Sequence, residues 1–278
     1  MISHLNPLGT GSATQEGAIR PKADRDILPA LTGQDLSELA QFGKIYLFET
    51  VSSTHEIAKS LVDRKEPSLV IALVQTHGRG RFHRDWYSEK GGLYLSYLIF
   101  PDFSAKPKIA QLTLLASLSV AHSLESLIGN KIEMRWPNDL LLAGKKVGGL
   151  LCATKGPGLI ISIGINLNQS SFPDFLPNAT SLFLVTKQSF EIGKVLKIIL
   201  GSLTNFYNDF LAGKFTDFLP ELKKRQVLIN QRIRAELWLR RIEGTVIDLD
   251  DAGRLVLRTD PGRLVIISAG KVHRIRNV

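Results

Sequence analysis

The chain has 278 residues, 44% of them hydrophobic and 22% charged, a composition typical of a globular protein with one large domain and room for a small second one. Its single cysteine, Cys152, excludes an internal disulfide framework and fits a reducing compartment, so we predict a cytoplasmic protein. The formal net charge of +9 admits anionic partners, but the basic residues form short clusters and no long basic tail of the kind that binds nucleic acid.

The chain begins with a predicted N-terminal extension, residues 1–42. Residues 1–30 are rich in Gly, Ser, Thr and Pro, which predicts a loosely ordered segment, and residues 31–42 could form one short helix. The extension carries three basic and five acidic side chains, which does not favour contact with nucleic-acid phosphates. The sequence lacks a secretory signal pattern and any apolar run long enough to span a membrane, so we expect no membrane partner.

Strands and helices alternate from residue 43 to residue 225, which predicts an α/β domain. Apolar runs predict strands at 45–48, 69–74, 93–100, 131–136, 147–153 and 159–165. Apolar residues at steps of three or four predict helices at 55–64, 107–128, 190–211 and 214–224.

The pattern changes after residue 225. Short apolar or alternating segments occur at 227–229, 233–238, 242–249, 255–257 and 265–267, and turns that contain Gly and Asp separate them. This pattern predicts a small all-β barrel over residues 226–278.

The segment 75–86 has the sequence Gln-Thr-His-Gly-Arg-Gly-Arg-Phe-His-Arg-Asp-Trp and carries the strongest functional signal. Its three arginines can each bind a carboxylate or a phosphate at two points, and its two glycines allow the backbone to close over a ligand. The segment therefore favours a site that brings two anions together. Taken alone, it is also compatible with a solvated basic loop.

Four further segments could carry chemistry, although each has an ordinary structural interpretation. Ser53-Thr54-His55 places hydroxyls where they could cap a helix, and 135–139, Arg-Trp-Pro-Asn-Asp, contains turn residues. The lysine pair in 144–150 is typical of a solvated hairpin, and Asn166 is typical of a turn at a strand end. The sequence contains no zinc-binding cysteine cluster, no Gly-x-x-x-x-Gly-Lys-Ser/Thr motif and no Gly-x-Ser-x-Gly elbow, so we predict no tightly bound metal and no nucleophilic side chain.

Taken in order, these segments resemble the biotin protein ligase family. The family pattern is Ser-Thr-Asn, Gln-x-x-Gly-Arg-Gly-Arg-x-x-Arg-x-Trp, Lys-Trp-Pro-Asn-Asp, Lys-x-x-Gly-(Ile/Leu)-Leu and Gly-Ile-Asn, and this chain matches it at 53–55, 75–86, 135–139, 146–151 and 164–166. The resemblance implies an α/β catalytic domain of the biotin/lipoate ligase type over 43–225, with a mixed sheet flanked by helices. It also implies an SH3-like barrel over 226–278.

The resemblance further implies ATP-dependent biotin ligation. Biotin and ATP with Mg²⁺ would give biotinyl-5′-AMP, and one lysine of a biotin carboxyl carrier protein domain would then accept the biotin. By resemblance, the catalytic residues are Lys146 and Arg81. The implied biotin-binding residues are Ser53, Thr54, Gln75, Gly78, Arg79, Arg81, Trp86 and Lys146, and the implied nucleotide-binding residues are Arg79, Arg81, Arg84, Trp86, Asn138, Lys146 and Asn166.

The chain departs from the family pattern at three positions, since His55, His83 and Arg135 replace the usual Asn, Gly and Lys. A lipoate or octanoate protein ligase would share the fold, but the Arg-Arg-x-Ser-Gly-Gly-Gly segment expected of lipoate ligases is missing. A biotin-responsive DNA-binding repressor is a further alternative. The acidic balance of 1–42 argues against an operator-binding domain, so we expect no nucleic-acid partner. The sequence does not decide whether the protein forms a homodimer.

Overall fold

Within the residues that the structure describes, the strands form two sheets, one of seven strands and one of five. The structure is a computed structural model that describes residues 31–101, 108–237, 241–260 and 262–278, and the predicted loose segment 1–30 lies outside them. The first sheet contains β1 (Lys44–Val51), β2 (Ser68–Gln75), β3 (Leu93–Ile99), β4 (Glu133–Arg135), β5 (Asp139–Leu142), β6 (Lys145–Lys155) and β7 (Gly158–Ile165). The second contains β8 (Arg232–Leu237), β9 (Arg241–Leu249), β10 (Leu255–Arg258), β11 (Leu264–Ile267) and β12 (Val272–Asn277).

The described helices are α1 (Gly33–Leu39), α2 (Thr54–Ser60), α3 (Ile109–Ile128), α4 (Leu182–Thr186), α5 (Ile192–Leu211) and α6 (Leu219–Arg225). Short 3-10 turns occur at Ala40–Phe42, Val62–Arg64, Arg81–His83, Lys214–Phe218 and Ala269–Lys271. No helix within the described ranges is both long and apolar enough to cross a membrane.

The seven-stranded sheet is mixed. Its strand order is β1-β2-β3-β7-β6-β5-β4, with β1 and β2 parallel and every other neighbouring pair antiparallel. Leu69 and Ile71 on β2 share a hydrophobic core with Leu115 of α3, whereas Val70 packs with Ala58 of α2 on the opposite face. Helices therefore cover both faces, and the predicted α/β class with a flanked mixed sheet is confirmed.

Most predicted elements are present, but one predicted strand is wrong and three elements were missed. The apolar run 227–229 is a turn because the chain reverses at Asn230, whose φ is 66°, while Leu228 is buried in the core. The missed elements are β5, α4 and β12, which are short or rich in polar residues. Such segments give weak periodicity signals.

The five-stranded antiparallel sheet is the predicted C-terminal barrel, with strand order β11-β10-β9-β8-β12. Its apolar interior is continuous with the main core. The Trp136 indole N–H donates to the Gly253 carbonyl at 2.9 Å, and Arg135 donates to the Asn277 side-chain oxygen at 3.1 Å. The first contact fixes the turn between β9 and β10, and the second fixes β12, beside the turn between β4 and β5.

We expect Gly201→Ala to stabilise the fold. Gly201 lies inside α5, and a Cβ added there would meet nothing within 4 Å. Alanine in a helix interior should raise the free energy of unfolding by about 0.5–1 kcal/mol, because it loses less backbone entropy than glycine. Denaturant unfolding would measure the change. Gly253→Ala is the control with the opposite expectation, since its φ is 72° and its Cβ would lie 2.5 Å from Leu114. A Gly201→Ala variant no more stable than the parent would contradict the prediction.

Candidate active site

A cavity of about 180 Å³ lies where α2, the loop after β2, the β4–β5 turn and strands β6, β7 and β12 meet. Nine of the predicted site residues line it: Ser53, Thr54, Gln75, Arg79, Arg81, Arg84, Trp86, Asn138 and Lys146. The structure adds lining residues to which we had assigned no ligand: His55, Gly80, Asp85, Arg135, Trp136, Pro137, Asp139, Gly149, Leu150, Leu151, Ser162, Ile163, Gly164, Val272 and Ile275. The predicted Gly78 is a buried residue of the loop and does not line the cavity, and Asn166 lines a neighbouring cavity.

The Arg/Gly loop 75–86 is folded back on itself. The Trp86 N–H donates to the Gly78 carbonyl at 2.9 Å, and the Gly80 N–H donates to the Arg84 carbonyl at 2.7 Å. A Cβ at Gly78 would lie 2.5 Å from the Trp86 carbonyl oxygen, so the fold of the loop requires glycine there. This fold places the three arginines of the loop on the wall of the cavity.

Ser53 occupies the N-cap position of α2, but its hydroxyl makes no capping hydrogen bond, so the capping interpretation is wrong for this residue. The Ser53 Oγ is buried and lacks a hydrogen-bond partner among the described residues. A buried hydroxyl without a partner costs free energy, and one that lines a cavity is placed to bind a polar ligand atom.

Buried side chains form a continuous hydrogen-bonded chain under the cavity. His55 Nδ1 lies 2.8 Å from the Ser162 Oγ, which lies 2.8 Å from the Ser96 Oγ. The Ser96 hydroxyl contacts the Thr54 Oγ at 2.9 Å, and the Thr54 hydroxyl donates to the Gln75 Oε1 at 3.0 Å. Sequence reasoning missed Ser96 and Ser162; the available signal was a small polar residue inside each of two apolar strands.

Burial, with smaller contributions from the nearby cations Lys59 and Arg79, lowers the pKa of His55 from 6.5 to about 4. The unfolded histidine titrates near 6.5, so unfolding takes up a proton between pH 6.5 and pH 4. The stability that the neutral His55 provides is therefore complete above pH 6.5 and is lost as the pH falls towards 4.

We expect this acid-side loss to disappear in His55→Gln. Between pH 7 and pH 5 the wild-type protein should lose roughly 1–2 kcal/mol of unfolding free energy through His55. Denaturant unfolding at both pH values would measure the difference. His77→Gln, which removes an exposed histidine, should keep the wild-type dependence. An equal pH dependence in wild type and His55→Gln would contradict the assignment.

Lys146 reaches the cavity because of a β-bulge. In the β5–β6 hairpin, Asp139 pairs with Gly149 but Leu141 pairs with Lys146, so β6 contains one extra residue at Val147. The bulge puts Lys146 on the same face as Gly149, whereas in a regular strand residues three apart point to opposite faces. Lys146 Nζ donates to the Asp139 carboxylate at 2.7 Å. Its neighbour Lys145 is exposed.

Trp86 separates the cavity from a second one. Glycines on two neighbouring strands make room for the indole, since a Cβ at Gly164 would lie 2.5 Å from the indole Nε1 and one at Gly149 would lie 3.2 Å from the ring. Lys146 Nζ lies 5.0 Å from the ring centroid, a cation–π distance. The indole N–H is buried and has no hydrogen-bond partner among the described residues.

The second cavity, of about 280 Å³, is mostly apolar. Its lining residues are Asp85, Trp86, Tyr87, Lys146, Asn166, Phe172, Phe175, Leu176, Pro177, Asn178 and Ala179. The Tyr87 ring lies 6.3 Å from the rings of both Phe172 and Phe175. Sequence reasoning missed the segment 172–179, since it contains no motif. It is tied to the site by the backbone, because the Lys146 N–H donates to the Asn178 carbonyl at 2.7 Å.

Arg81 links the loop to the barrel. Its guanidinium donates to the Ala269 carbonyl of the barrel and lies 3.5 Å from the Asn138 side-chain oxygen. Burial, with a contribution from Arg84, lowers the Arg81 pKa to about 10, which leaves the group protonated at neutral pH. The positively charged Arg81 guanidinium therefore lies at the cavity wall and is held there by neutral oxygens.

The two predicted asparagines also brace the backbone. Asn138 donates to the Leu150 carbonyl at 2.8 Å, which ties the β4–β5 turn to β6. Asn166 donates to the Thr180 carbonyl at 2.9 Å. Their assigned roles in nucleotide binding stay predictions. Across the described ranges, no group of three or more His, Cys, Asp or Glu residues is placed to hold a metal ion.

Comparison with known proteins identifies matching families and relatives. The profile of the Biotin/lipoate A/B protein ligase family matches residues 47–169, and that of the Biotin protein ligase C terminal domain matches residues 228–273. The Bifunctional ligase/repressor BirA of Bacillus spizizenii is 35% identical over 232 residues, which are 80% of this chain and 71% of that protein. The Biotin--[acetyl-CoA-carboxylase] ligase of Mycobacterium tuberculosis is 29% identical over 213 residues, which are 75% of this chain and 79% of that protein.

A solved structure shares the fold. The biotin protein ligase from Aquifex aeolicus in complex with biotin and ATP superposes with a TM-score of 0.74 at 28% sequence identity. The superposition covers 84% of this chain and 99% of that chain.

Proposed function

Because this chain belongs to the biotin/lipoate A/B protein ligase family, we propose that it is an ATP-dependent biotin protein ligase. The observation that carries the proposal is the position of Lys146. Its side chain lines both the polar cavity and the aromatic cavity. A carboxylate from one ligand and a phosphate from another would meet at this amine.

The polar cavity suits biotin. The ureido group has one carbonyl acceptor and two N–H donors, and it needs a partner for each when it is buried. The unpartnered Ser53 hydroxyl can donate to the carbonyl, and Thr54 offers an oxygen lone pair to an N–H. Trp86 and Ile163 would pack against the apolar ring and tail. Ser53, Thr54, Gln75, Gly78 and Arg79 thus keep their predicted roles in this half of the site.

The aromatic cavity suits the adenine base of ATP. Tyr87, Phe172 and Phe175 provide flat apolar surface for a planar ring. Arg79, Arg81 and Arg84 of the loop would face the phosphates from the other side of Trp86. Mg²⁺ would arrive with ATP as part of that substrate, near the predicted nucleotide residues Asn138 and Asn166.

In the first step, a biotin carboxylate oxygen forms a bond to the α-phosphorus while the bond from that phosphorus to pyrophosphate breaks. Both reactants are anions, so cations must offset their repulsion and stabilise the charge that develops on the phosphoryl oxygens. Lys146 and Arg81 supply two such cations. In the second step, the amine of a carrier lysine attacks the biotinyl carbonyl, and AMP leaves with the bonding electron pair.

The folded Arg/Gly loop would also protect the intermediate. Biotinyl-5′-AMP is a mixed anhydride that water hydrolyses, and a loop closed over it lowers the access of water. The link from Arg81 to Ala269 holds the loop against the barrel. A biotin carboxyl carrier domain would have to present its lysine to this closed site, so we propose recognition of a folded carrier surface.

Incubation of the pure protein with ATP, Mg²⁺ and either biotin, lipoate or octanoate tests the proposal. Mass spectrometry should detect biotinyl-5′-AMP from biotin and no adenylate from the other two acids. Transfer to a purified carrier domain would complete the reaction. Lipoyl- or octanoyl-adenylate in place of the biotin product would reassign the substrate, and the absence of any adenylate would reject the function.

We further propose three units: an extension at 1–42, a catalytic domain at 43–225 and a barrel at 226–278. We propose that the protein is a cytoplasmic enzyme without a nucleic-acid partner. Light scattering would measure whether it forms a homodimer. A gel-shift assay with biotin and ATP tests whether the protein has a nucleic-acid partner, since a sequence-specific DNA complex would overturn that part of the proposal.

A further inference from the structure

We infer that His55 is a specificity residue for the ureido group, and that its Nε2 accepts a hydrogen bond from a ligand N–H because a chain of hydroxyls fixes its tautomer. The inference deepens the proposed function and rests on it. Each hydroxyl has one proton, so each can donate one hydrogen bond. A chain of hydroxyls therefore has a direction, and a group that can only donate or only accept sets it.

The orientation of the Gln75 amide is the anchor of the chain. The Thr54 backbone N–H can only donate, and it lies 2.8 Å from the Gln75 Oε1. The Gln75 Nε2 can only donate, and it lies 2.9 Å from the Ser88 Oγ. The Ser88 hydroxyl is free to accept because its own proton points to the Trp86 carbonyl at 2.9 Å. Both ends of the amide are thus assigned by groups that cannot reverse.

The direction then propagates to the histidine. The Gln75 Oε1 only accepts, so the Thr54 hydroxyl donates to it, and Thr54 must accept from Ser96. Ser96 has used its proton, so it accepts from Ser162. Ser162 has then used its proton as well, so its Oγ accepts from His55. The proton of the His55 ring must therefore lie on Nδ1.

The ring is neutral in the folded protein because burial and the cations Lys59 and Arg79 disfavour a second proton. A neutral imidazole with a proton on Nδ1 has a lone pair on Nε2. Among the described residues, the hydrogen bond of His55 is the one made by Nδ1, and the ring lines the polar cavity. The Nε2 lone pair is thus left for a ligand.

This arrangement selects for an N–H donor. Thr54 also uses its proton in the bond to the Gln75 Oε1, so Thr54 and His55 both offer acceptors to a ligand. The two N–H groups of a ureido ring match them, while Ser53 has a free hydroxyl for the carbonyl. An acid without N–H groups, such as lipoate or octanoate, would leave these acceptors buried and unpaired, which costs affinity.

The tautomer can be measured directly in the wild-type protein. In a sample labelled with ¹⁵N-histidine, the two ring shifts report which nitrogen is protonated, and loss of the signal in His55→Gln assigns it. We expect Nδ1 to be protonated without ligand, and we expect biotin to shift the Nε2 signal. In Ser162→Ala the Nδ1 acceptor is gone, so the proton should move at least in part to Nε2. A proton on Nε2 in the wild type would overturn the inference.

Affinity measurements test the proposed hydrogen bond between His55 and the ligand. Ser162→Ala and His55→Leu should each weaken biotin binding about 10-fold, the effect of one neutral hydrogen bond. In the double variant the two losses should not add, because Ser162 acts through His55. Ser117→Ala, a buried serine of α3 whose hydroxyl bonds to the Thr113 carbonyl, is the control and should bind biotin normally.

The selectivity of the protein between biotin and N-methylated derivatives also tests the role of His55. One of the two mono-N-methyl derivatives of the biotin ureido group should bind the wild type weakly, and His55→Leu should lose part of that discrimination. Additive losses, or equal discrimination in wild type and His55→Leu, would overturn the inference while leaving biotin ligation intact. A wild-type protein that binds no biotin would reject the proposed function as well, so the two failures are distinguishable.

Discussion

Lys146→Ala should lower the rate of adenylate formation at least ~100-fold, the scale of the loss of one oriented charge stabiliser. Lys146 donates to Asp139 at 2.7 Å and contacts the face of Trp86, so its amine is held where the two cavities meet. No neighbouring lysine can replace it, because Lys145 points to solvent on the other side of the strand. Single-turnover release of pyrophosphate with biotin and ATP measures the rate.

The control for this prediction is Lys145→Ala. It removes the same charge one residue away and should leave adenylate formation within about 2-fold of wild type, since Lys145 lines neither cavity. Thermal unfolding of both variants would show that each is folded. A near-normal rate in Lys146→Ala would remove Lys146 from the mechanism.

Arg81→Ala should release the adenylate about 10- to 100-fold faster, since a charged hydrogen bond contributes about 1.5–3 kcal/mol. Neutral oxygens hold the guanidinium, so its charge is available to a phosphate. The variant also detaches the loop from the Ala269 carbonyl, which should further increase the access of water. Retention of labelled biotinyl-5′-AMP through gel filtration measures the dissociation.

Two comparisons separate binding from folding for Arg81. Arg258→Ala removes an exposed arginine of β10 outside both cavities and should retain the adenylate as the wild type does. Arg81→Lys keeps the charge but loses the planar fork, so intermediate retention is expected. Unchanged dissociation in Arg81→Ala would contradict its role, and so would a loss of stability large enough to account for the faster release.

Sequence patterns predicted the parts of the fold that depend on local periodicity. The buried run 69–74 and the long apolar helix 107–128 correspond to β2 and α3 because these elements are central and buried. The position of the Arg/Gly loop was also predictable, since its arginines and glycines directly follow the buried run 69–74. The lysine hairpin was a correct structural interpretation, since Lys145 and Lys146 follow the turn between β5 and β6. Lys145 is exposed and Lys146 lines both cavities, and the catalytic role of Lys146 stays a prediction.

The rest of the site depends on contacts between segments that are distant in sequence. The bulge at Val147 turns Lys146 towards Asp139, and no local pattern marks it. Ser96 and Ser162 lie 66 residues apart and meet only because β3 and β7 are neighbours in register. The aromatic segment 172–179 has no periodicity, so the second cavity could not be predicted.

Trp86 forms a wall shared by the two cavities, which makes it an internal optical probe. Indole emission changes when the ring loses contact with water or gains a charged neighbour. The entry of each ligand would change both of these conditions around Trp86. The chain has three tryptophans, so a variant with phenylalanine at positions 136 and 238 would leave one emitter. Its emission would record biotin binding, adenylate formation and AMP release as separate phases of a single trace, without a label on either substrate.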